Sequence, residues 1–211
     1  MKWARVNWRM PKLGHVKVNV HGHFQDIPFP NGNRSGICVV IRDSRGMIKG
    51  LFVCFLRIQE QHNNELYALL EGHITPYIQE YDFVNLESDN VGAIWEWDNS
   101  SLAAVPEHRY VIQQLNQRKS YQYLSLKTNH IDEDANVMAI YLARHGAANY
   151  DQMVIFSEPF GRIFEIWCSD MGLGLMEAPF LGVLEEDINM DAANDVVINE
   201  VDDGERGQEA G

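Results

Sequence analysis

The sequence predicts one α/β domain, in which helices flank a mixed five-stranded sheet in the order β-β-β-α-β-α-α-β-α. Its first third contains three apolar runs separated by short polar turns, which is typical of an antiparallel meander. The following part alternates helical and strand patterns, which is typical of strands linked by helices. A length of 211 residues with 45% hydrophobic residues suits one well-buried domain and a tail.

The strands are predicted from apolar alternation bounded by turn residues. Val16, Val18 and Val20 alternate with polar residues, which indicates a half-buried first strand. The second and third strands are predicted over 37–42 and 47–58, because the turn signal Asp43-Ser44-Arg45-Gly46 separates them. Two shorter strands are predicted further along the chain, over 83–86 and 121–126.

The helices are predicted from apolar periodicity and from their end signals. In the first, over 65–79, Pro76 should kink or shorten the helix. The next two are predicted over 91–97 and 107–118. The last, over 134–145, begins with acids that suit the helix dipole, and Gly146 is placed to act as its C-cap.

Negative charge is concentrated at the C-terminal end of the chain. Of the net charge of −13, residues 185–211 contribute −9, and we expect this acidic tail to be disordered. The rest of the chain is only mildly acidic. Because nucleic-acid binding relies on Lys and Arg, it would need a local basic stripe here.

Three widely spaced cysteines, Cys38, Cys54 and Cys168, form no C-x-x-C pair. This pattern favours a reduced, intracellular protein of the nucleus or cytoplasm. The sequence contains no run of about 18 apolar residues, so we expect no membrane span and no membrane partner.

Four short motifs follow one another in the chain. They are His21-Gly22, then Asn64-Glu65-Leu66-Tyr67-Ala68, then Ser88-Asp89, and then His130 followed by Asn136-Val137-Met138-Ala139-Ile140-Tyr141-Leu142-Ala143. In order and spacing they resemble the plant-type ribonuclease H-like domain, which is similar to the ribonuclease H region of non-LTR retrotransposon reverse transcriptases. The resemblance implies a ribonuclease H-like fold.

Flanking segments extend this resemblance to about residues 8–175. Trp8 to Gly14 is similar to the family's W-x-P-P-x-x-G lead-in, and Pro159, Asp170 and Gly172 are similar to the segment that trails these domains. We therefore expect a ribonuclease H-like domain over 8–148, a C-terminal extension over 149–184 and the tail over 185–211.

The resemblance also implies a two-metal nuclease site built from four carboxylates that bind Mg²⁺ or Mn²⁺. Glu65 and Asp89 match two of the acids, and His130 matches the family's catalytic loop histidine. The other two acid positions are occupied by His21 and Ile140. The interval of ten residues from His130 to Ile140 is the one the family pattern requires.

These two replacements predict impaired catalysis and weak Mg²⁺ or Mn²⁺ binding. A neutral imidazole offers one nitrogen, supplies no negative charge and favours Zn²⁺, Ni²⁺ or Cu²⁺ over Mg²⁺. Three functions remain open: a domain that binds RNA–DNA hybrid or RNA without cutting it, an active hybrid-specific endoribonuclease, and a protein-interaction scaffold without enzymatic activity.

Each candidate residue also has a plainer interpretation. Glu65 could be a surface acid in the first turn of a helix, Asp89 could be a helix N-cap, and His130 could be a loop histidine without a task. His21 and His23 lie on one strand face and could bind a transition metal together. The five scattered tryptophans fit the core better than base stacking.

Overall fold

The computed structural model describes residues 8–58, 60–74, 81–99, 106–120 and 125–173. Several predicted features therefore fall wholly or partly outside the described residues: the end of the helix over 65–79 with Pro76, most of the strand over 121–126, the end of the extension over 149–184, and the acidic tail over 185–211. Within the described part, none of the helices is long and apolar enough to cross a membrane.

In the described residues, six strands and five helices follow one another. They are β1 (His15–Phe24), β2 (Ser35–Arg42), β3 (Ile48–Phe55), α1 (Gln61–Ile74), β4 (Phe83–Ser88), α2 (Val91–Asp98), α3 (Arg109–Ser120), β5 (Ser125–His130), α4 (Val137–Asn149), β6 (Val154–Phe156) and α5 (Gly161–Asp170). A short 3₁₀ turn, Glu133–Ala135, precedes α4.

The strands form one mixed sheet in the order β5-β4-β1-β2-β3-β6. The meander of β1, β2 and β3 is antiparallel, β4 and β5 run parallel to β1, and β6 is antiparallel to β3. The predicted α/β class with a mixed sheet is confirmed. The predicted number of five strands is wrong, because the short β6 adds a sixth strand at the β3 edge.

Four local predictions need correction. The described part of the fifth strand continues to His130, beyond the predicted end at 126, and α1 begins four residues before Glu65, at Gln61. The last helix begins only at Val137, after the 3₁₀ turn. Gly146 is not a C-cap, because α4 continues past it to Asn149; a Cβ on Gly146 would lie 2.9 Å from Cβ of Val53, so the glycine lets this helix pack closely on β3.

Two apolar cores lie on the opposite faces of the sheet. On one face, alternate residues of β1 and β2 pack against α1, α2 and α3, with Val18, Val39 and Leu69 at their centre. On the other face, Val40 and Val53 pack against α4 and α5, in contact with Leu142 and Ile163. Because helices cover both faces, every residue of the central strand β2 is buried.

A buried polar network joins the start of the described chain to its end. The Arg42 guanidinium lies 3.6 Å from the centre of the Trp8 ring, forms an ion pair with Asp170 on α5, and donates to Asn19 Oδ1. Trp8 Nε1 donates to the same oxygen of Asn19 at 3.0 Å. The lead-in and the trailing helix therefore pack together on the sheet through one arginine.

Candidate active site

The predicted site lies at one end of the parallel strands β1 and β4, where β4 ends beside β1 and β1 continues to Phe24. Val20 on β1 is paired with Ser88 on β4, so the next residues of the two strands, His21 and Asp89, are brought together. The N-terminal end of α1 lies at the same end of these strands and carries Glu65 in its second turn.

Gly22 allows α1 to approach β1 closely enough for Glu65 to reach the site. A Cβ at this position would lie 2.3 Å from the backbone carbon of Asn64 and 2.5 Å from the backbone nitrogen of Glu65. The Gly22 backbone N–H donates to Glu65 Oε2 at 3.0 Å. The glycine in the first motif is therefore needed for close packing, and the same contact orients the carboxylate.

We predict that Gly22→Ala lowers the free energy of unfolding by about 1–3 kcal/mol, the usual cost of adding a methylene where there is no space. The clash is with backbone atoms, so α1 must move away from β1 and carry Glu65 with it. Urea denaturation measures the stability change. An unchanged midpoint would show that the two elements are not packed this closely.

His21 lies between the two acids. Its Nδ1 is 3.1 Å from Asp89 Oδ1 and 3.4 Å from Glu65 Oε1. All three side chains are largely buried, with exposed fractions of 11% for His21, 2% for Glu65 and 7% for Asp89. The predicted convergence of these motifs is therefore present, with an imidazole among the carboxylates.

Two amide side chains hold the carboxylates in place, and neither was predicted to have this role. Asn136, just before α4, donates through Nδ2 to Asp89 Oδ1 at 2.6 Å and to the Val20 carbonyl at 3.0 Å. Gln61, at the start of α1, donates to Glu65 Oε1 at 2.9 Å and also to the Gly22 carbonyl. The acids are thus fixed by neighbours from three elements.

The protonation states follow from burial and from this pairing. Burial raises the pKa of Glu65 to about 7, against the opposing effects of His21, Gly22 and Gln61. Burial alone would raise the pKa of Asp89, but its hydrogen bonds with His21 and Asn136 outweigh this and lower it. For His21, burial is outweighed by the hydrogen bond to Asp89 and by the carboxylate charges, so its pKa is raised. The two neighbouring carboxylates thus favour the protonated form of His21, and burial opposes it.

The remaining predicted residues have other surroundings. His130 is the exposed last residue of β5, and its backbone is paired with that of Ser88, the residue before Asp89. His23 lies 3.4 Å from Gln25 Oε1, and burial lowers its pKa to about 4. Ile140 is half-buried on α4, one turn beyond Asn136, and residues at this spacing share a helix face.

The N-cap of α2 is Asn90 rather than Asp89. The Asn90 side chain accepts a hydrogen bond from the Ala93 backbone N–H at 2.8 Å. The Asp89 carboxylate instead contacts His21 and Asn136. Of the tryptophans, Trp8 and Trp97 are buried, whereas Trp95 is 61% exposed on α2.

Within the described residues, two groups of side chains could hold a metal ion: His21, Glu65 and Asp89, and separately His62, Glu96 and His108. The first group does not fit a pair of Mg²⁺ ions. Mg²⁺ prefers oxygen ligands in octahedral geometry, whereas this group offers two carboxylates and a nitrogen that already contacts both of them. Its donors suit at most one transition-metal ion.

A profile of the family described as reverse transcriptase-like, which has a ribonuclease H-like fold, matches residues 30–146. The chain belongs to this family. The match includes Glu65, Asp89, His130 and Ile140, and it begins after His21. No curated protein matches the sequence significantly.

Solved structures show the same ribonuclease H-like fold. The N-terminal RNase H domain of Rv2228c from Mycobacterium tuberculosis has a TM-score of 0.53 at 12% identity, over 63% of this chain and 93% of that one. RNase H1 from the archaeon Halobacterium salinarum has a TM-score of 0.54 at 15% identity, over 63% and 96%. LC11-RNase H1 in complex with an RNA/DNA hybrid has a TM-score of 0.53 at 17% identity, over 63% and 96%.

Proposed function

We propose that this chain is a ribonuclease H-like domain that binds RNA–DNA hybrid and leaves it uncut in Mg²⁺. The observation that carries the proposal is the position of His21, whose Nδ1 lies 3.1 Å from Asp89 and 3.4 Å from Glu65. An imidazole there supplies no negative charge and occupies the space between the two carboxylates that a divalent metal would need. The fold and the family support hybrid as the ligand, because a structural neighbour, LC11-RNase H1, was solved with one.

Two exposed arginines are positioned to contact a nucleic-acid backbone. Arg34 directly precedes β2, and Arg57 lies two residues after β3 ends. Phe24 at the end of β1 pairs with Ser35 at the start of β2, and Phe55 at the end of β3 pairs with Gly36. Both arginines therefore lie at the same end of the strands as the candidate site, a few residues beyond His21, which pairs with Cys38. Contacts between arginines and phosphates would supply the salt-dependent part of the affinity.

We predict that Arg34→Ala/Arg57→Ala weakens hybrid binding and reduces the slope of log affinity against log salt by about 2, or about 1 for each lost phosphate contact. Fluorescence anisotropy with a labelled hybrid measures both quantities. The matched control is Arg45→Ala/Lys49→Ala, which removes the same charge. Arg45 lies in the β2–β3 turn and Lys49 near the start of β3, at the opposite end of the strands.

The outcomes of this titration separate the candidate functions. Hybrid binding that only the first double variant weakens supports the proposal. Equal losses in both double variants would mean that binding is not located at the candidate site. An absence of hybrid binding by the unchanged chain at physiological salt would overturn the proposal and favour the protein-interaction scaffold.

Glu133 supports a second candidate, an active hybrid ribonuclease. This exposed acid lies in the turn before α4, and its charge contributes to the raised pKa of His21. A third carboxylate near Glu65 and Asp89 could partly replace a missing ligand. For this function, Glu133→Gln must abolish a Mg²⁺-dependent or Mn²⁺-dependent cleavage that the unchanged chain performs.

A further inference from the structure

A second cluster of metal-binding side chains lies where the first turn of α1, the last turn of α2 and the residue before α3 meet. It consists of His62 in the first turn of α1, Glu96 on α2, and His108 immediately before α3. His62 Nε2 lies 2.6 Å from Glu96 Oε2, and His108 Nδ1 lies 3.1 Å from Glu96 Oε1. One carboxylate therefore faces two imidazole nitrogens from different helices.

A fourth residue, Glu60, orients His108. Its Oε2 lies 3.0 Å from His108 Nε2, on the opposite side of the ring from Glu96. A proton held on Nε2 by this carboxylate leaves the lone pair of Nδ1 directed toward His62 and Glu96. Metal-bound histidines in proteins commonly donate their other ring N–H to a carboxylate, which fixes the tautomer and the ring orientation.

We propose that His62, Glu96 and His108 bind one Zn²⁺ ion, with Glu60 as the carboxylate that orients His108. Their ligand atoms all lie within 4.8 Å of one another. Zn²⁺ takes nitrogen and oxygen ligands at about 2.0–2.2 Å in tetrahedral geometry, so small side-chain movements suffice to enclose it. Three protein ligands leave the fourth position for water.

The donor set and the exposure both favour this ion. Imidazole nitrogens select Zn²⁺ and related transition metals over Mg²⁺ and Ca²⁺, which prefer oxygen ligands. The side chain of His108 is 7% exposed and that of Glu96 is 16% exposed, whereas that of His62 is 30% exposed. The two ligands beside α2 and α3 are thus largely buried, whereas the ligand on α1 is accessible to solvent.

An ion bound at this position would link α1 to α2. His62 lies one turn before Glu65 on α1, and Glu96 lies seven residues after Asp89. A bound Zn²⁺ would therefore hold together the two helices next to the candidate active site. The zinc proposal does not depend on hybrid binding, because its ligands are distinct from His21, Glu65 and Asp89.

Isothermal titration of the metal-free full chain, without a histidine tag, with Zn²⁺ tests the proposal. We expect one tight equivalent, with at least tenfold weaker affinity in His62→Gln and in His108→Gln. Glu60→Gln should weaken binding by about 10–100-fold, as other losses of an orienting carboxylate do. His15→Gln, at the opposite end of the strands, is the matched control and should bind as the unchanged chain does.

Two further measurements keep the result interpretable. Co²⁺ in place of Zn²⁺ should give the intense visible absorption of a four-coordinate site, and this absorption should be lost in His108→Gln. Circular dichroism in EDTA should show that the variants remain folded. No tight equivalent, or a tight equivalent that survives His62→Gln/His108→Gln and disappears in Asp89→Asn, would overturn the proposal.

Discussion

Restoring both acids, as His21→Asp/Ile140→Asp, should raise Mg²⁺-dependent cleavage of RNA–DNA hybrid at least about 100-fold, or about 3 kcal/mol in the activation barrier. The first change removes the imidazole from between Glu65 and Asp89 and places a third carboxylate beside them. The second places a carboxylate one helical turn from Asn136, which already contacts Asp89. Four carboxylates at this end of the strands would match the oxygen ligands that two Mg²⁺ ions require.

Several controls make the reversion informative. Each single variant should remain below the double variant, because both ligands serve one pair of ions. Glu65→Ala in the reverted background should abolish cleavage again. Mg²⁺ should also raise the melting temperature of the double variant more than that of the unchanged chain, since clustered carboxylates repel one another until a cation binds. A folded double variant that neither binds Mg²⁺ nor cuts hybrid would contradict the assignment of these two positions.

Asp170→Ala should lower the free energy of unfolding by about 3–5 kcal/mol, the usual cost of leaving one partner of a buried ion pair alone. Arg42 is 1% exposed, and burial lowers its pKa despite the neighbouring carboxylate. Burial likewise raises the pKa of Asp170. Both directions show that desolvation outweighs the attraction within the pair, so an unpaired Arg42 would be costly to bury.

Chemical denaturation measures this effect, and the same helix supplies its control. Glu165 pairs with Arg162 on α5, and its side chain is 46% exposed, so Glu165→Ala should cost less than about 1 kcal/mol. Replacing both buried partners, as Arg42→Met/Asp170→Ala, should recover part of the loss, because no charge then remains buried. Equal effects of Asp170→Ala and Glu165→Ala would show that α5 is not anchored through Arg42.

The Arg42–Asp170 ion pair also indicates how far along the chain the folded domain extends. The boundary predicted at residue 148 stays a prediction, but β6 pairs with β3 and Asp170 pairs with Arg42 on β2. We therefore propose that the folded unit continues through α5. A large effect of Asp170→Ala would support this extent of the unit.

The strands that were predicted correctly have a clear apolar alternation or are bounded by a recognisable turn. The valines of β1 alternate over a half-buried strand, and the turn after Asp43 separates β2 from β3 as expected. By contrast, β5 is a polar edge strand in which Lys127, Asn129 and His130 are exposed, so it has no apolar pattern to detect. The three residues of β6 are too few to show any period.

The candidate site was predicted from motif resemblance rather than from geometry. Those motifs identified Glu65 and Asp89, and the structure brings these two acids together around His21. From the sequence, His21 was interpreted as a lost ligand or as a transition-metal ligand together with His23. Its contact with both carboxylates could not be predicted, because it depends on the register of β1 against β4. The second metal-binding cluster could not be predicted from the sequence. Its residues, His62, Glu96 and His108, are far apart in the chain and meet only because their helices pack together.

Single-turnover incubation of a labelled RNA–DNA hybrid with excess unchanged protein tests the central claim most directly. The protein concentration is set above the dissociation constant from anisotropy, so that the hybrid is bound throughout, and Mg²⁺ is compared with EDTA. We predict that the bound hybrid stays intact in both conditions. Mg²⁺-dependent cleavage that Glu65→Ala abolishes would contradict the claim that His21 disables the site.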